Sequence, residues 1–372
     1  MRHWRWAVVI SGLAALVSGP IVVANRPVDD PSLTAPQLAE RVLGSATQPF
    51  EGLYRTRGGL RLPDLGRLDD EVAAFAGSSR VRVWYGGPDR WRADELLVGA
   101  ERGVYRQPDG LWLWDSGTRR IVFSPRTATE SVRIPRLMDL SPAELGRRIV
   151  AEHGAMTLTT MPAKRVAGEV AAGLRVTAAS GGSSPSTSTV TSVDLWVDPE
   201  TGVVLEVQVH TGATAPAFEA SFIDVSFGRP ADDVMQFDPD GVDEPVRQSA
   251  TVDPIEQADQ FAFVTLPDSV GGLARRNDIT SGLGTYGAGL SLVNLAVVPA
   301  ESLGRRIAAL PQSKRPWGGS AALLQTSLVN LQIVRIGGFA VVLSGTVTMA
   351  ELDRIAGEIV RSGQFGPFEA AG

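Results

Sequence analysis

Residues 80–94 of the chain read Arg-Val-Arg-Val-Trp-Tyr-Gly-Gly-Pro-Asp-Arg-Trp-Arg-Ala-Asp. Over the first six positions Val81, Val83 and Tyr85 fall on one face, and two arginines and a tryptophan fall on the other. This period of two is typical of a β-strand with one buried face. The Gly-Gly-Pro-Asp sequence then predicts a turn, which leads into a second strand over Trp91–Val98.

The strand and turn pattern continues on both sides of this stretch. Upstream, Phe50–Arg57 is strand-like. Downstream, Gly103–Gln107 and Leu111–Asp115 flank Pro-Asp-Gly, a typical hairpin turn, and Arg119–Ser124 follows a Ser-Gly turn. These segments predict a meander of five or six antiparallel strands. Further strands are predicted at Ala163–Ala179, Val190–Val197, Val203–Thr211 and Ala217–Phe227.

Three helices are predicted from capping boxes, in which Ser or Thr is followed three residues later by Gln or Glu. The boxes are Thr34–Gln37, Ser141–Glu144 and Thr348–Glu351, and the first two carry a proline in the first turn. The second helix is predicted to end near His153. In the last helix the apolar residues recur at helical spacing along one face, which predicts that this face is buried.

A change in composition divides the chain into two parts. Residues 238–259 are acidic and proline-containing, with few large apolar residues, and are interpreted as a linker. The linker separates a first domain, residues 27–237, from a small α+β C-terminal domain, residues 260–372. The elements predicted in the second domain are a strand at Leu290–Val298, a helix at Ser302–Ala309, and a hairpin of Leu323–Ile336 with Gly338–Leu343.

The composition excludes several kinds of function. A chain of 372 residues with 44% apolar and 20% charged residues is ordinary for a folded protein of two domains. The net charge of −6 does not suit binding to nucleic acid. The absence of cysteine excludes disulfides, thiol catalysis, cysteine-zinc sites and a lipid-modified N-terminal cysteine. No cofactor and no metal is predicted.

Residues 1–26 predict export from the cytoplasm. A basic stretch, Arg2–Arg5, precedes an apolar run from Ala7 to Ala24, and Val22-Val23-Ala24 offers the small residues of a signal peptidase site. The run is 18 residues long, whereas a membrane span needs ~20. A cleaved signal peptide and an uncleaved single-pass anchor both remain open, and both place the rest of the chain outside the cytoplasm.

No motif indicates catalysis. His210 lies in an alternating strand and His153 lies at a helix end, where a cation suits the helix dipole. Gly282–Gly287 matches G-x-G-x-x-G but precedes a strand, so no helix N-terminus would hold a phosphate. The 41 acidic residues leave a spatial pair of carboxylates open, but no local cluster indicates one. A non-enzymatic protein is therefore predicted.

The positive indication of function comes from aromatic residues in the first domain. Several aromatic residues fall in predicted strands of the first domain, among them Trp84, Tyr85, Trp91, Tyr105, Trp112, Trp114 and Trp196. Trp112 and Trp114 share one face of their strand and two leucines share the other, so both faces need a cover. We interpret one apolar face of this strand as packed against a helix and the other as lining an apolar pocket. The alternative is a two-layer core without a pocket. The candidate cavity residues are Val83, Tyr85, Trp91, Trp112, Trp114, Trp196 and, on the second helix, Ile149.

Several segments resemble the fold shared by LolA-like outer-membrane lipoprotein carriers and by RseB/MucB-like periplasmic sigma-E regulators. The Trp-Val-Asp-Pro-Glu-Thr-Gly sequence, for example, is similar to a turn that is common in that group. The resemblance spans most of residues 35–362. The segments that carry it are Arg80–Asp94, Gly103–Asp115, Leu195–Gly202, Tyr286–Val297 and Gly337–Ala356.

The resemblance implies a mostly β fold, in which helices cover a curved antiparallel half-barrel that is not closed. It implies that an apolar cavity receives the acyl chain of a lipid or lipoprotein. For the regulators it also implies binding of a transmembrane anti-sigma factor, here through the C-terminal domain. A third interpretation is an accessory subunit of a membrane transporter. No catalytic residues carry over from the resemblance.

Overall fold

The computed structural model describes eight segments of the chain. The predicted targeting segment, residues 1–26, and the predicted helix Ser302–Ala309 lie outside them, as does most of the predicted linker. No helix among the described residues is long and apolar enough to span a membrane. The segments are residues 30–58, 77–126, 136–179, 187–239, 246–248, 265–276, 283–300 and 312–363.

Most of the described chain is β-structure, and twelve strands form one large sheet. Their order is β12-β6-β5-β4-β3-β2-β1-β11-β10-β9-β8-β7, so the sheet has two free ends and is not closed. All neighbours pair antiparallel except β12, which runs parallel to β6. The strands are β1 Phe50–Gly58, β2 Ser78–Gly87, β3 Arg90–Leu97, β4 Ala100–Gln107, β5 Gly110–Asp115, β6 Arg120–Pro125, β7 Met156–Val166, β8 Glu169–Ala178, β9 Ser192–Val197, β10 Val204–His210, β11 Phe218–Phe227 and β12 Val246–Gln248.

One predicted strand of this sheet is wrong in its extent. Ala163–Ala179 is not a single strand, because a turn at Ala167 and Gly168 divides it between β7 and β8. Both turn residues have positive φ, 53° and 89°. A non-glycine residue rarely adopts such a φ, so the Val-Ala-Gly-Glu sequence gave little indication of a turn.

Two helices pack on the large sheet. Helix α1 (Ala35–Gly44) begins at the full capping box of Thr34, and helix α2 (Pro142–Ala151) is capped by Ser141, whose Oγ accepts from the Glu144 amide. Short 3-10 helices follow α1 at Ser45–Thr47 and precede α2 at Leu137–Leu140. The predicted helix starts are therefore confirmed, and α2 ends just before the predicted His153.

Two apolar clusters lie on the face of the sheet that the helices contact. We call the first the helix cluster, because it joins α1 and α2 to strands β8–β11. The second, the cleft cluster, joins β1–β5 and β11 to the segment before α2, and it also includes Val166, Ala171 and Leu205 from β7, β8 and β10. The main members of the cleft cluster are Phe50, Tyr54, Val83, Tyr85, Trp91 and Phe222.

The opposite face of β4–β6 carries a separate cluster, the outer cluster. It is formed by Tyr105, Ile121 and Phe237, with Trp112 and Trp114 packed against it. The Phe237 ring lies 5.1 Å from the ring of Tyr105 and 5.3 Å from that of Trp112. The chain that leaves β11 therefore covers these tryptophans.

A polar turn fixes the join between β9 and β10. The Asp198 carboxylate accepts from the amide of Thr201 at 2.7 Å and from its hydroxyl at 2.7 Å. Gly202 follows with φ +74°, and a Cβ there would stand 2.2 Å from the carbonyl oxygen of Arg41, near the end of α1. The turn therefore holds α1 against the sheet.

The rest of the chain forms a smaller sheet with its own core. Helix α3 (Met349–Ser362) starts at the predicted Thr348 cap and packs on one face of that sheet. The order of its six strands is β15-β16-β20-β19-β18-β17, and β13 and β14 form a separate pair. These strands are β13 Ser269–Val270, β14 Leu273–Ala274, β15 Leu283–Ala288, β16 Ser291–Pro299, β17 Gln312–Lys314, β18 Ser320–Gln325, β19 Asn330–Ile336 and β20 Phe339–Gly345.

One predicted hairpin of the smaller sheet is wrong in its extent. Leu323–Ile336 is interrupted at residues 326–329, where the Thr326 hydroxyl accepts from the amides of Leu328 and Val329. The turn between β19 and β20 lies at the predicted Gly-Gly pair. The G-x-G-x-x-G glycines that the structure describes belong to β15, which continues as a hairpin into β16.

Backbone and side-chain contacts join the two sheets. Ser188 forms a β-bridge with Val347, and the Thr189 hydroxyl donates to the Leu328 carbonyl at 2.5 Å. Leu328 and Leu290, from the smaller sheet, belong to the helix cluster of the large one. The two cores are therefore in direct apolar contact.

Candidate functional site

A small cleft opens between α2 and the large sheet. Apolar side chains from the cleft cluster form most of its wall, and Glu144 and Arg147 on α2 are its charged residues. Both charged side chains are partly exposed, so they lie at the mouth. The lining residues are Ser45, Phe50, Tyr85, Met138, Ala143, Glu144, Arg147 and Val203.

Two tyrosines tie the sheet to the short helices around the cleft. The Tyr85 hydroxyl donates to the Ala46 carbonyl at 2.6 Å, and the Tyr54 hydroxyl donates to the Leu137 carbonyl at 2.5 Å. Phe50 stacks on Tyr85, with 5.0 Å between the ring centres. These contacts hold one wall of the cleft in place, because each ring is packed on one side and hydrogen-bonded at its tip.

Helix α2 forms the opposite wall and lies very close to the sheet. A Cβ at Gly146 would stand 2.6 Å from a methyl group of Val204, so only glycine permits this approach. The side chain of Ala143, one turn earlier on α2, faces the cleft. The spacing between helix and sheet, and with it the width of the cleft, is therefore set by small residues.

A network of charges surrounds the mouth. Glu144 accepts from Arg147 and, at 2.7 Å, from Nε of Arg148. Arg148 also donates to Asp139 at 2.6 Å. If Arg147 turned toward a ligand, Glu144 and Asp139 would both remain paired with Arg148.

Burial raises the pKa of Tyr85 to about 12, partly offset by the nearby charge of Arg147. Burial likewise raises the pKa of Tyr105 to about 12. The folded protein holds these two protons more tightly than the unfolded chain does. The resulting contribution to the free energy of unfolding is therefore complete below pH ~10 and is lost as the pH rises toward ~12.

We expect the ultraviolet absorbance changes of Tyr85 and Tyr105 to be centred near pH 12 in the folded protein, and those of all the tyrosines to be centred near pH 10 in the urea-unfolded chain. In the urea-unfolded chain Tyr85→Phe should remove about one quarter of the amplitude, since the chain has four tyrosines. A folded-state titration centred at pH 10 would contradict the burial of these hydroxyls.

Three of the predicted cavity residues come together. Val83, Tyr85 and Trp91 are all in the cleft cluster, with exposures of 0%, 5% and 8%. Tyr85 lines the cleft itself, and Trp91 is its direct partner on β3. The strict alternation in β2 therefore predicted which face of this strand the helices cover.

The other predicted residues lie elsewhere. Trp112 and Trp114 are on the opposite face, in the outer cluster. Ile149 packs against the helix cluster. Trp196 packs at the edge of the cleft cluster, with the Lys164 ammonium 3.3 Å from its ring centre. Alternation alone does not separate the two faces of a strand that is apolar on both sides.

Five apolar or small lining residues were not predicted from the sequence. Ala143 and Met138 carried no aromatic pattern, and Val203 lies in the turn before β10. Phe50 begins a predicted strand, and its place beside Tyr85 follows from the pairing of β1 with β2. Ser45 is in the 3-10 turn after α1. In the described part of the chain, no group of three or more His, Asp or Glu residues is arranged to hold a metal ion.

Solved structures of known proteins match the chain at low identity. The MucA/MucB complex of Pseudomonas aeruginosa matches at 18% identity and a TM-score of 0.48, over 87% of this chain and 96% of that one. A LolA superfamily protein of Nitrosomonas europaea matches at 12% identity and a TM-score of 0.25, over 55% and 99%. The Mycobacterium tuberculosis lipoprotein LppX matches at 12% identity and a TM-score of 0.28, over 53% and 97%.

MucB and the LolA superfamily are the groups that the sequence resembles. No protein-family model matches the chain, and no curated protein does. At these identities the likeness concerns the fold, and the ligand has to be inferred from the chemistry of the cleft.

Proposed function

We propose that the chain is an exported, non-enzymatic protein that binds the acyl chain of a lipid or lipoprotein between α2 and the large sheet. The observation that supports this most directly is the cleft, which leads from a charged mouth into the apolar cleft cluster. In this proposal the unclosed sheet serves as a curved half-barrel, and α1 and α2 cover its inner face.

The lining suits a hydrocarbon chain. Burial of an acyl chain is favourable by ~0.8 kcal/mol per methylene and requires no hydrogen-bonding partner. Phe50, Met138 and Val203 supply apolar surface, and the hydroxyl of Tyr85 is already bonded to the backbone. Such a wall recognises the length and width of the chain more than any functional group.

The mouth suits a polar head. Arg147 offers a planar cation at the entrance, while Arg148 remains bonded to Glu144. Because guanidinium groups bind carboxylates and phosphates in two-point geometry, an anionic head fits this position. The free space in the cleft is about 10 Å³, which is roughly the room that one water molecule needs and far below the ~300–1,000 Å³ of most ligand sites. A long chain would therefore require α2 to move outward.

The location of the protein is part of the proposal. Residues 1–26 would direct export and either be cleaved or retain the chain on the membrane. An anchored chain would receive its ligand from the adjacent bilayer, whereas a cleaved one would be free to carry it.

The proposal is tested by titration of the purified chain with a fluorescent fatty acid, followed by displacement with unlabelled fatty acids of increasing length. We expect saturable binding at one site and an affinity that rises about fourfold per added methylene until the cleft is full. Binding that does not saturate, or affinity that is independent of chain length, would contradict an apolar site between α2 and the large sheet.

A second candidate function is regulation through a protein partner, such as a transmembrane anti-sigma factor. The observation that favours it is the face of the smaller sheet opposite α3, where Leu331, Val342 and Val298 are partly exposed around buried Ile333. Leu331→Asp is expected to abolish partner co-purification and leave the fatty-acid titration unchanged. Partner binding that survives this change would exclude this face.

A further inference from the structure

The β3–β4 hairpin ends in an exposed apolar tip. Leu96, Leu97 and Val98 are 42%, 41% and 106% exposed. Among the described residues they are three of the five large hydrophobic side chains that are exposed. Hairpin turns normally carry Asn, Asp or Gly, so three consecutive large apolar side chains are unfavourable in water at this position.

The tip is a fixed protrusion of the sheet. The strand pairing of β3 with β4 continues to Leu97 and Ala100, and Gly99 closes the turn with φ +78°. The turn between β5 and β6 supports it from the side, because the Glu101 amide donates to the Ser116 hydroxyl at 2.8 Å. Leu96 and Leu97 are therefore held at the end of β3, and Val98 lies in the turn beyond it.

Exposed arginines lie beside the tip. Arg80 precedes Val81, which pairs with Glu95, so Arg80 is level with Leu96 on the neighbouring strand. Arg120 begins β6 at the same end of the sheet, and Arg119 precedes it in the turn. All three arginines are exposed. An apolar point beside cationic side chains matches the boundary between acyl chains and anionic headgroups.

We propose that the tip Leu96–Val98 inserts into the interfacial region of a bilayer that contains anionic lipids. A stable protein interface needs ~800 Å² from each partner, and three side chains on a protruding turn offer far less. A protruding turn can insert into a bilayer without a surface of complementary shape. The predicted N-terminal apolar segment would direct export through a membrane, which is consistent with a bilayer as the partner. The inference is independent of the ligand in the cleft.

The chain contains no cysteine, so Val98→Cys supplies a single thiol for an environment-sensitive fluorophore. Asp109→Cys is the matched control, because Asp109 is exposed in the turn at the opposite end of β4. Both full-length variants are reconstituted into phosphatidylcholine vesicles with and without phosphatidylglycerol. The N-terminal segment is identical in both, so its own contribution cancels.

We expect the probe at position 98 to shift to the blue, to brighten severalfold and to be quenched by spin-labelled lipids, more strongly with phosphatidylglycerol. The probe at position 109 should show none of these changes. Leu97→Asp in the Val98→Cys chain should abolish the shift while the circular dichroism is retained.

Two outcomes would overturn the proposal. One is a probe at position 98 that stays as exposed to water as the one at 109. The other is a probe that is already shielded before vesicles are added, which would mean that protein covers the tip. An equal shift without phosphatidylglycerol would overturn the role of the arginines.

Discussion

Ala143→Phe is expected to weaken binding of a fluorescent fatty acid at least about tenfold. Ala143 is 9% exposed and lines the cleft from α2, so a phenyl ring there would occupy space that the acyl chain needs. Each methylene that is kept out forfeits ~0.8 kcal/mol, so the loss of two already exceeds the 1.4 kcal/mol of a tenfold change.

Ala151→Phe is the matched control for this variant. Ala151 is the last residue of the same helix and is exposed, so an added ring there leaves the cleft unchanged. We expect wild-type affinity for it, with the melting temperature of both variants measured alongside. Equal affinities for Ala143→Phe and Ala151→Phe would exclude the cleft as the binding site.

Gly202→Ala is expected to lower the free energy of unfolding by about 2–5 kcal/mol. A left-handed conformation costs a residue other than glycine roughly 1–2 kcal/mol. In addition, the new Cβ would stand 2.2 Å from the Arg41 carbonyl oxygen, and such overpacking adds typically 1–3 kcal/mol. The change therefore forces α1 away from the β9–β10 turn. Urea unfolding, followed by tryptophan fluorescence, measures the loss.

Gly168→Ala separates the two causes. Gly168 also lies in a strand turn with positive φ, but a Cβ there would meet no atom within 4 Å. We expect a loss of only about 1–2 kcal/mol for this variant. If Gly202→Ala and Gly168→Ala lowered the free energy of unfolding equally, the close approach of Gly202 to α1 would add nothing to the cost of the positive φ.

Much of the fold could be predicted from local patterns. The alternation in β2 identified the buried face of that strand, because a strand with one solvent face has only one way to place its apolar side chains. The three capping boxes located the helix starts, since Ser and Thr satisfy the free amides of the first turn. The turn at Asp198–Gly202 was indicated by its resemblance to a turn that is common in LolA-like and RseB/MucB-like proteins.

The candidate site could be predicted only in part, because it depends on which face the helices cover. Trp112 and Trp114 sit in a strand that is apolar on both sides, and the chain after β11 covers them, through Phe237. That contact joins residues more than a hundred positions apart and leaves no local pattern. The same holds for Ala143, a small residue whose importance lies in the space that it leaves.

The measurement that tests the central claim most directly is native mass spectrometry of the chain purified from its own membrane fraction, followed by lipid extraction. We predict an added mass equal to one lipid or acylated peptide per chain, which is absent from Ala143→Phe and present in Ala151→Phe. A folded wild-type chain with no bound lipid, or a lipid retained equally by both variants, would contradict the account.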